Sequence, residues 1–107
     1  MTTLEKIRLF ERYLELTQGN SDREVDVVLE KLLEHKKIEL KRHCDEMQTE
    51  LSAFEKQYGI GSKEFFEKFE RGELGDEMDW FDWSATWQMY NNVLKYLKAL
   101  SVEPAAA

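Results

Sequence analysis

The sequence predicts an all-α protein, and three observations carry that prediction. Proline occurs once and glycine five times in 107 residues, so long stretches lack the residues that interrupt a helix. Glu, Lys and Leu, all good helix formers, are abundant. Apolar residues recur at spacings of three and four, the period of one helix face. The expected architecture is a helical hairpin or bundle with one long central helix, completed by antiparallel homodimerisation. A single helical domain is expected over residues 1–103, with helices at about 3–18, 22–58, 62–71 and 77–100.

The first helix, Thr3 to about Gln18, carries Leu4, Ile7, Phe10 and Leu14 as one stripe. Gly19 and Asn20 end it, where the chain must pass through a left-handed conformation. Ser21-Asp22-Arg23-Glu24 reads as a capping box, the Ser hydroxyl and the Glu carboxylate each taking a free backbone N–H. No breaker follows until Gly59, so the second helix runs for roughly 54 Å at 1.5 Å per residue. Its seam is Leu29, Leu33, Lys36, Leu40, Cys44, Met47, Leu51, Phe54 and Tyr58, close to a heptad pattern with an irregularity near Leu40. Val25, Val28 and Leu32 widen it at the N-terminal end. Such a helix overhangs any core the others can build. A second copy is therefore expected along Leu29, Leu33, Leu40, Cys44, Met47 and Leu51, in coiled-coil fashion, with Lys36 as a specificity feature of the seam.

Tyr58-Gly59-Ile60-Gly61-Ser62 breaks the chain. Ser62 is expected to cap a third helix that turns Phe65, Phe66 and Phe69 inward. Gly72 ends that helix, Gly72-Glu73-Leu74-Gly75 connects, and Asp76 or Asp79 caps the last one. There Trp80, Trp83, Trp87, Tyr90, Leu94 and Leu97 form one row, and Phe81, Ala85, Met89, Val93, Tyr96 and Leu100 an adjoining row. Two rows give a wide apolar face, so this helix is expected to be the most buried. Pro104 stops any helix, and the tail 104–107, with its three alanines, reads as a cloning scar.

The net charge of −7 disfavours general binding to a phosphate backbone, which needs a Lys/Arg surplus, and favours a basic partner. Met1 to Lys6 lack the basic segment and apolar run of a secretory signal. No apolar run approaches the roughly 20 residues that span a bilayer. Cys44 stands alone, so no disulfide can form within the chain. A cytoplasmic location, with no membrane association, is expected.

Candidate chemistry gathers in two places. Glu70, Glu73, Asp76, Glu77, Asp79 and Asp82 stand against Arg71 alone. Glu73, Asp76, Asp79, Trp80, Asp82 and Trp83, with Phe81, form a candidate docking surface for a small basic protein, aromatic anchors beside carboxylates. The plainer alternative is acids that complement helix N-termini. Lys36, Lys37, Lys41 and Arg42 give an alternative nucleic-acid surface on the paired long helices, or simply a solvated face of i,i+4 pairs. His35 and His43 lie eight residues apart, too far to share an ion as an i,i+4 pair would. Neither follows a Glu at the spacing used by di-iron bundles. Cys44 lies on the apolar seam, with His43 turned about 100° away, so it reads as a core thiol and not a nucleophile. No P-loop, nucleophile elbow or dinucleotide fingerprint occurs. The chain is expected to be non-enzymatic and to need no cofactor or metal.

The run Phe54-Glu55-Lys56-Gln57-Tyr58-Gly59-Ile60-Gly61-Ser62-Lys63-Glu64-Phe65, continued by Phe69 to Trp83, resembles a family of small uncharacterised bacterial and archaeal proteins. Their shared string is a Phe-Glu, a Tyr-Gly, a capping Ser, a Phe pair, Gly-Glu-Leu-Gly-Asp, an Asp and an acid-Trp. The match covers about thirty residues. Members look like antitoxin-type or orphan partners of small toxins. The first functional expectation is that the candidate docking surface binds a basic protein, such as a toxin ribonuclease, and occludes its active site with carboxylates and tryptophans. In that case Asp79→Lys is expected to abolish binding with helicity intact. The family usually has Glu before the tryptophan where this chain has Asp82. The string equally reads as a fold corner, with Gly59, Gly72 and Gly75 at tight reversals and Ser62 and Asp76 as caps.

Overall fold

The structure, a computed structural model, describes residues 1–101; the tail at 104–107 lies outside the described residues. Four helices and no strand make up the described chain: α1 (Thr3–Leu16), α2 (Arg23–Tyr58), α3 (Ser62–Glu70) and α4 (Met78–Ser101). The protein is all-α with one long central helix, and none of these helices is long and apolar enough to cross a membrane. The chain divides into two compact units, Met1–His35 and Lys36 onward. The long α2 begins in the first unit and continues through the second.

In the first unit, Thr2 caps α1 by accepting the Glu5 N–H at 3.1 Å. The helix ends at Leu16, short of Gln18. Thr17 is already extended, and its hydroxyl and N–H both return to the Leu14 carbonyl, at 2.8 and 3.2 Å. Gly19 and Asn20 then take positive φ of 89° and 55°. The expected capping box gives way to Asp22, one residue later than Ser21. One Asp22 oxygen accepts the Val25 N–H at 3.1 Å, and the other accepts the Tyr13 hydroxyl at 2.7 Å. A carboxylate at this position caps α2, complements its dipole and ties back to α1. No residue of this unit is buried.

The second unit holds the core. Leu51, Phe65 and Trp83 form one buried cluster, lined by Phe54, Tyr58, Ile60, Phe66, Phe69, Leu74, Trp80, Trp87 and Tyr90. Phe65 lies flat on Trp83, centroids 3.9 Å apart and planes 3° from parallel, and Phe54 stacks on Trp83 at 5.4 Å. Cys44, Met47 and Val93 form a second cluster with Leu40, Tyr90 and Leu97. Leu40, Cys44, Met47 and Leu51, expected on a dimer seam, are therefore occupied within the chain by α3 and α4. Of the apolar residues expected there, only Leu29 and Leu33 remain exposed. The sequence period places these residues on one face but does not say whose helix covers it.

Two further expectations change. The adjoining row of α4 is buried only at Val93: Phe81, Ala85, Met89 and Tyr96 are exposed and Leu100 is half-buried, because α2 and α3 lie mainly on the tryptophan side. Nor does Ser62 cap α3. Gly61 occupies the cap position with no side-chain bond, and the Ser62 N–H donates to Glu55 Oε2 at 2.8 Å. An acid from the end of α2 thus satisfies the start of α3. The Ser62 hydroxyl is buried instead, accepting the Trp83 Nε1–H at 2.9 Å. At the other end of α3, Glu73 N–H reaches the Lys68 carbonyl and Gly72 N–H the Phe69 carbonyl, both at 3.1 Å. This is a Schellman closure, and it needs the +71° φ that Gly72 supplies.

Trp83→Ala is expected to cost about 3–5 kcal/mol in urea denaturation, by loss of a wholly buried aromatic side chain. Ser62→Ala, which leaves the indole N–H without its acceptor, is expected to cost about 1–3 kcal/mol. A cost under about 0.5 kcal/mol for both would remove this socket from the centre of the fold.

Candidate partner-binding surface

The acid-rich connector and the first turns of α4 belong to the second unit, and the aromatic core decides which of their side chains face solvent. Trp83 is wholly buried and cannot anchor a partner, contrary to its place in the expected docking surface. Trp80 is half-buried, its ring 4.6 Å from Tyr58 and 5.6 Å from Phe65. Asp79 is also half-buried and accepts a hydrogen bond from the Tyr58 hydroxyl. It lies in the first turn of α4, where a negative charge complements the dipole. Both residues thus tie α4 to the end of α2.

Glu73, Asp76 and Asp82 are exposed. Glu73 pairs with Arg71 across 3.2 Å, while Asp82 lines an open groove of about 510 Å³ between α2 and α4, with Glu50, Phe54 and Thr86. Beside these acids stand two large apolar side chains that solvent reaches: Met78, 75% exposed, and Phe81, 49% exposed. Phe81 is held edge-on by Phe69 at 5.7 Å. Met78, Phe81, Ala85 and Met89 recur at helical spacing, so they share an outward face of α4 with Asp82 at its margin. Met78 was not singled out by sequence reasoning. The available signal was angular: Met78 and Phe81 lie well off the row of Trp80, Trp83 and Trp87, so a second face was already implied.

The Tyr58 hydroxyl is pushed up to about 12, first by its hydrogen bond to Asp79, then by burial and the Asp79 charge. Burial, with the charge of Asp45, also pushes the Cys44 thiol up, away from the thiolate that nucleophilic chemistry requires. Among the described residues, no group of three His, Cys, Asp or Glu side chains gathers to hold a metal. On the basic stretch, Lys36 pairs with Glu39 at 3.3 Å and Arg42 with Glu46 at 4.0 Å, along the same helix. Lys37 is half-buried and Lys41 exposed. The surface can offer carboxylates and apolar anchors to a protein.

No family model matches the chain, and no curated protein or solved structure is significantly similar to it.

The raised Tyr58 pKa has a signed consequence. The unfolded chain ionises this hydroxyl near 10 while the folded chain holds its proton to about 12. Its contribution to stability is therefore complete below pH 10 and is lost as pH rises towards 12. Thermal melts are expected to show Tyr58→Phe with a smaller decline over that window than the parent protein. Parallel declines would mean that the Asp79 bond does not govern this titration.

Proposed function

We propose that this chain is a non-enzymatic interaction module of the cytoplasm. In this reading it works as an antitoxin-like homodimer and binds a small basic protein through the start of α4. The observation that carries the reading is the exposure of Phe81 and Met78 beside Glu73, Asp76 and Asp82. Apolar side chains that a partner can desolvate supply affinity, and surrounding carboxylates supply orientation and speed of encounter. The chain's net charge of −7 extends the attraction beyond contact range. A basic active site covered in this way loses both its access and its positive potential, which is how such a module would silence a toxin. The roles expected of Trp83 and Asp79 pass to Phe81 and Asp82, because the former pair hold the fold.

The test is capture of partners from lysate of the native host by the tagged full chain. A stoichiometric small basic protein is expected. Its affinity is expected to fall about tenfold or more for Phe81→Ala and for Asp82→Lys, both on the exposed face and both with helicity unchanged. A partner held equally well by both variants would overturn this surface. Asp79→Lys is the poorer probe, since it also breaks the link to Tyr58.

A further inference from the structure

We propose that the groove between α2 and α4 is the seat for an arginine side chain of the basic partner. The inference rests on the partner reading above and names what that partner inserts. The groove lies wholly within the second unit.

The first reason is an uncompensated pair of charges in a formed groove. The groove, about 510 Å³, takes Glu50, Ala53 and Phe54 from one face of α2 and Asp82, Ala85 and Thr86 from one face of α4. The two helices run antiparallel there. The Thr86 hydroxyl donates to Glu50 Oε2 at 3.4 Å, while eight residues later on α2 the Tyr58 hydroxyl donates to Asp79. Glu50 therefore meets α4 at Thr86, one turn or about 5.4 Å along from Asp82. Both carboxylates are exposed, and among the described residues neither stands in an ion pair. No Lys, Arg or His lines the groove, and Lys56, beside it in sequence, lines a different one.

The second reason selects the occupant. Two negative charges a helical turn apart attract a cation, and the lining decides which. A guanidinium is a planar fork of five N–H donors, so it serves two carboxylates at once. An ammonium is a compact point charge and has to favour one. Ala53 and Ala85 are short and leave room for a methylene stem beside Phe54. The weakly hydrated guanidinium also gives up less on meeting an aromatic wall than an ammonium does. The source of the arginine follows from the surroundings. In an open groove a free small molecule leaves much of its surface in water, so affinity has to come from whatever carries the side chain. The outward face of α4 supplies that anchorage. Ala85 belongs both to the groove and to the exposed row of Met78, Phe81 and Met89. A protein that covers Phe81 thus lies beside the groove, with its own basic side chains in reach of Asp82 and Glu50.

Titration of the full ¹⁵N-labelled chain, followed by amide chemical shifts, is the deciding experiment. The probes are N-acetyl-L-arginine amide, its lysine counterpart, and N-acetyl-L-citrulline amide, which keeps the shape of arginine without its charge. The arginine probe is expected to move the amides of Glu50, Ala53, Asp82, Ala85 and Thr86 and to saturate with a Kd of about 10 mM or below. The citrulline probe is expected to bind about tenfold more weakly or not at all, and the lysine probe more weakly than arginine. Glu50→Gln and Asp82→Asn are each expected to raise the arginine Kd about threefold or more, with the remaining amide shifts unchanged. Equal binding of citrulline or lysine would overturn the proposal. So would shifts spread evenly over Glu73 and Asp76, or indifference to Glu50→Gln. A basic protein captured through Phe81 and held equally well by Glu50→Gln overturns the arginine seat alone. Arginine bound in the groove of a chain that captures no basic protein overturns the partner reading and leaves the groove as an arginine site.

Discussion

The second unit is organised around one enclosed indole. Trp83 lies between Phe65 and Phe54, and its only polar atom is met by the Ser62 hydroxyl. A buried N–H left without an acceptor costs most of what stacking provides, so the socket has to bring a hydroxyl to one point as well as rings to its faces. That requirement fixes the start of α3, because Ser62 must turn inward. The N-terminus of α3 then lacks a serine cap, and Glu55 at the end of α2 supplies the missing acceptor. A single aromatic residue on α4 thereby dictates how α2 stops and how α3 begins.

The same constraint sorts the acid-rich stretch into two populations. Asp79 and Trp80 face Tyr58 and stay with the core, whereas Asp82 and Phe81, on the other side of the helix, are left to solvent. Composition alone treats these neighbours as one cluster. Their difference is angular, set by which face of α4 the tryptophan occupies.

The element boundaries were legible almost to the residue, because glycines, a proline-poor chain and 3.6-residue periodicity are local signals. The ownership of contacts was not. Leu29 and Leu51 share a seam by spacing, yet one is exposed and the other covered by helices that arrive from more than ten residues away. Ser62 fits the pattern of a cap in every local respect, and only the distant Trp83 diverts it. Asp22 displaces Ser21 as a cap because Tyr13, on the preceding helix, also claims its carboxylate. In each case a partner remote in sequence outweighed a sound local preference. The candidate surface was legible to the same extent: the acid-rich stretch and its aromatics stand out in the sequence, while their division between core and solvent depended on tertiary packing.

Cys44 has a different kind of consequence. It is the only sulfhydryl of the chain, it sits under Val93 of α4, and its burial pushes its pKa up. A thiol reagent can reach it only when α4 lifts from α2. The rate of its alkylation is therefore a stopwatch for that opening, read without any label or substitution. If opening and closing are fast relative to the chemistry, the rate gives the free energy of the open form. If they are slow, it gives the opening rate itself. The molecule thus carries its own gauge of how firmly the aromatic unit holds together.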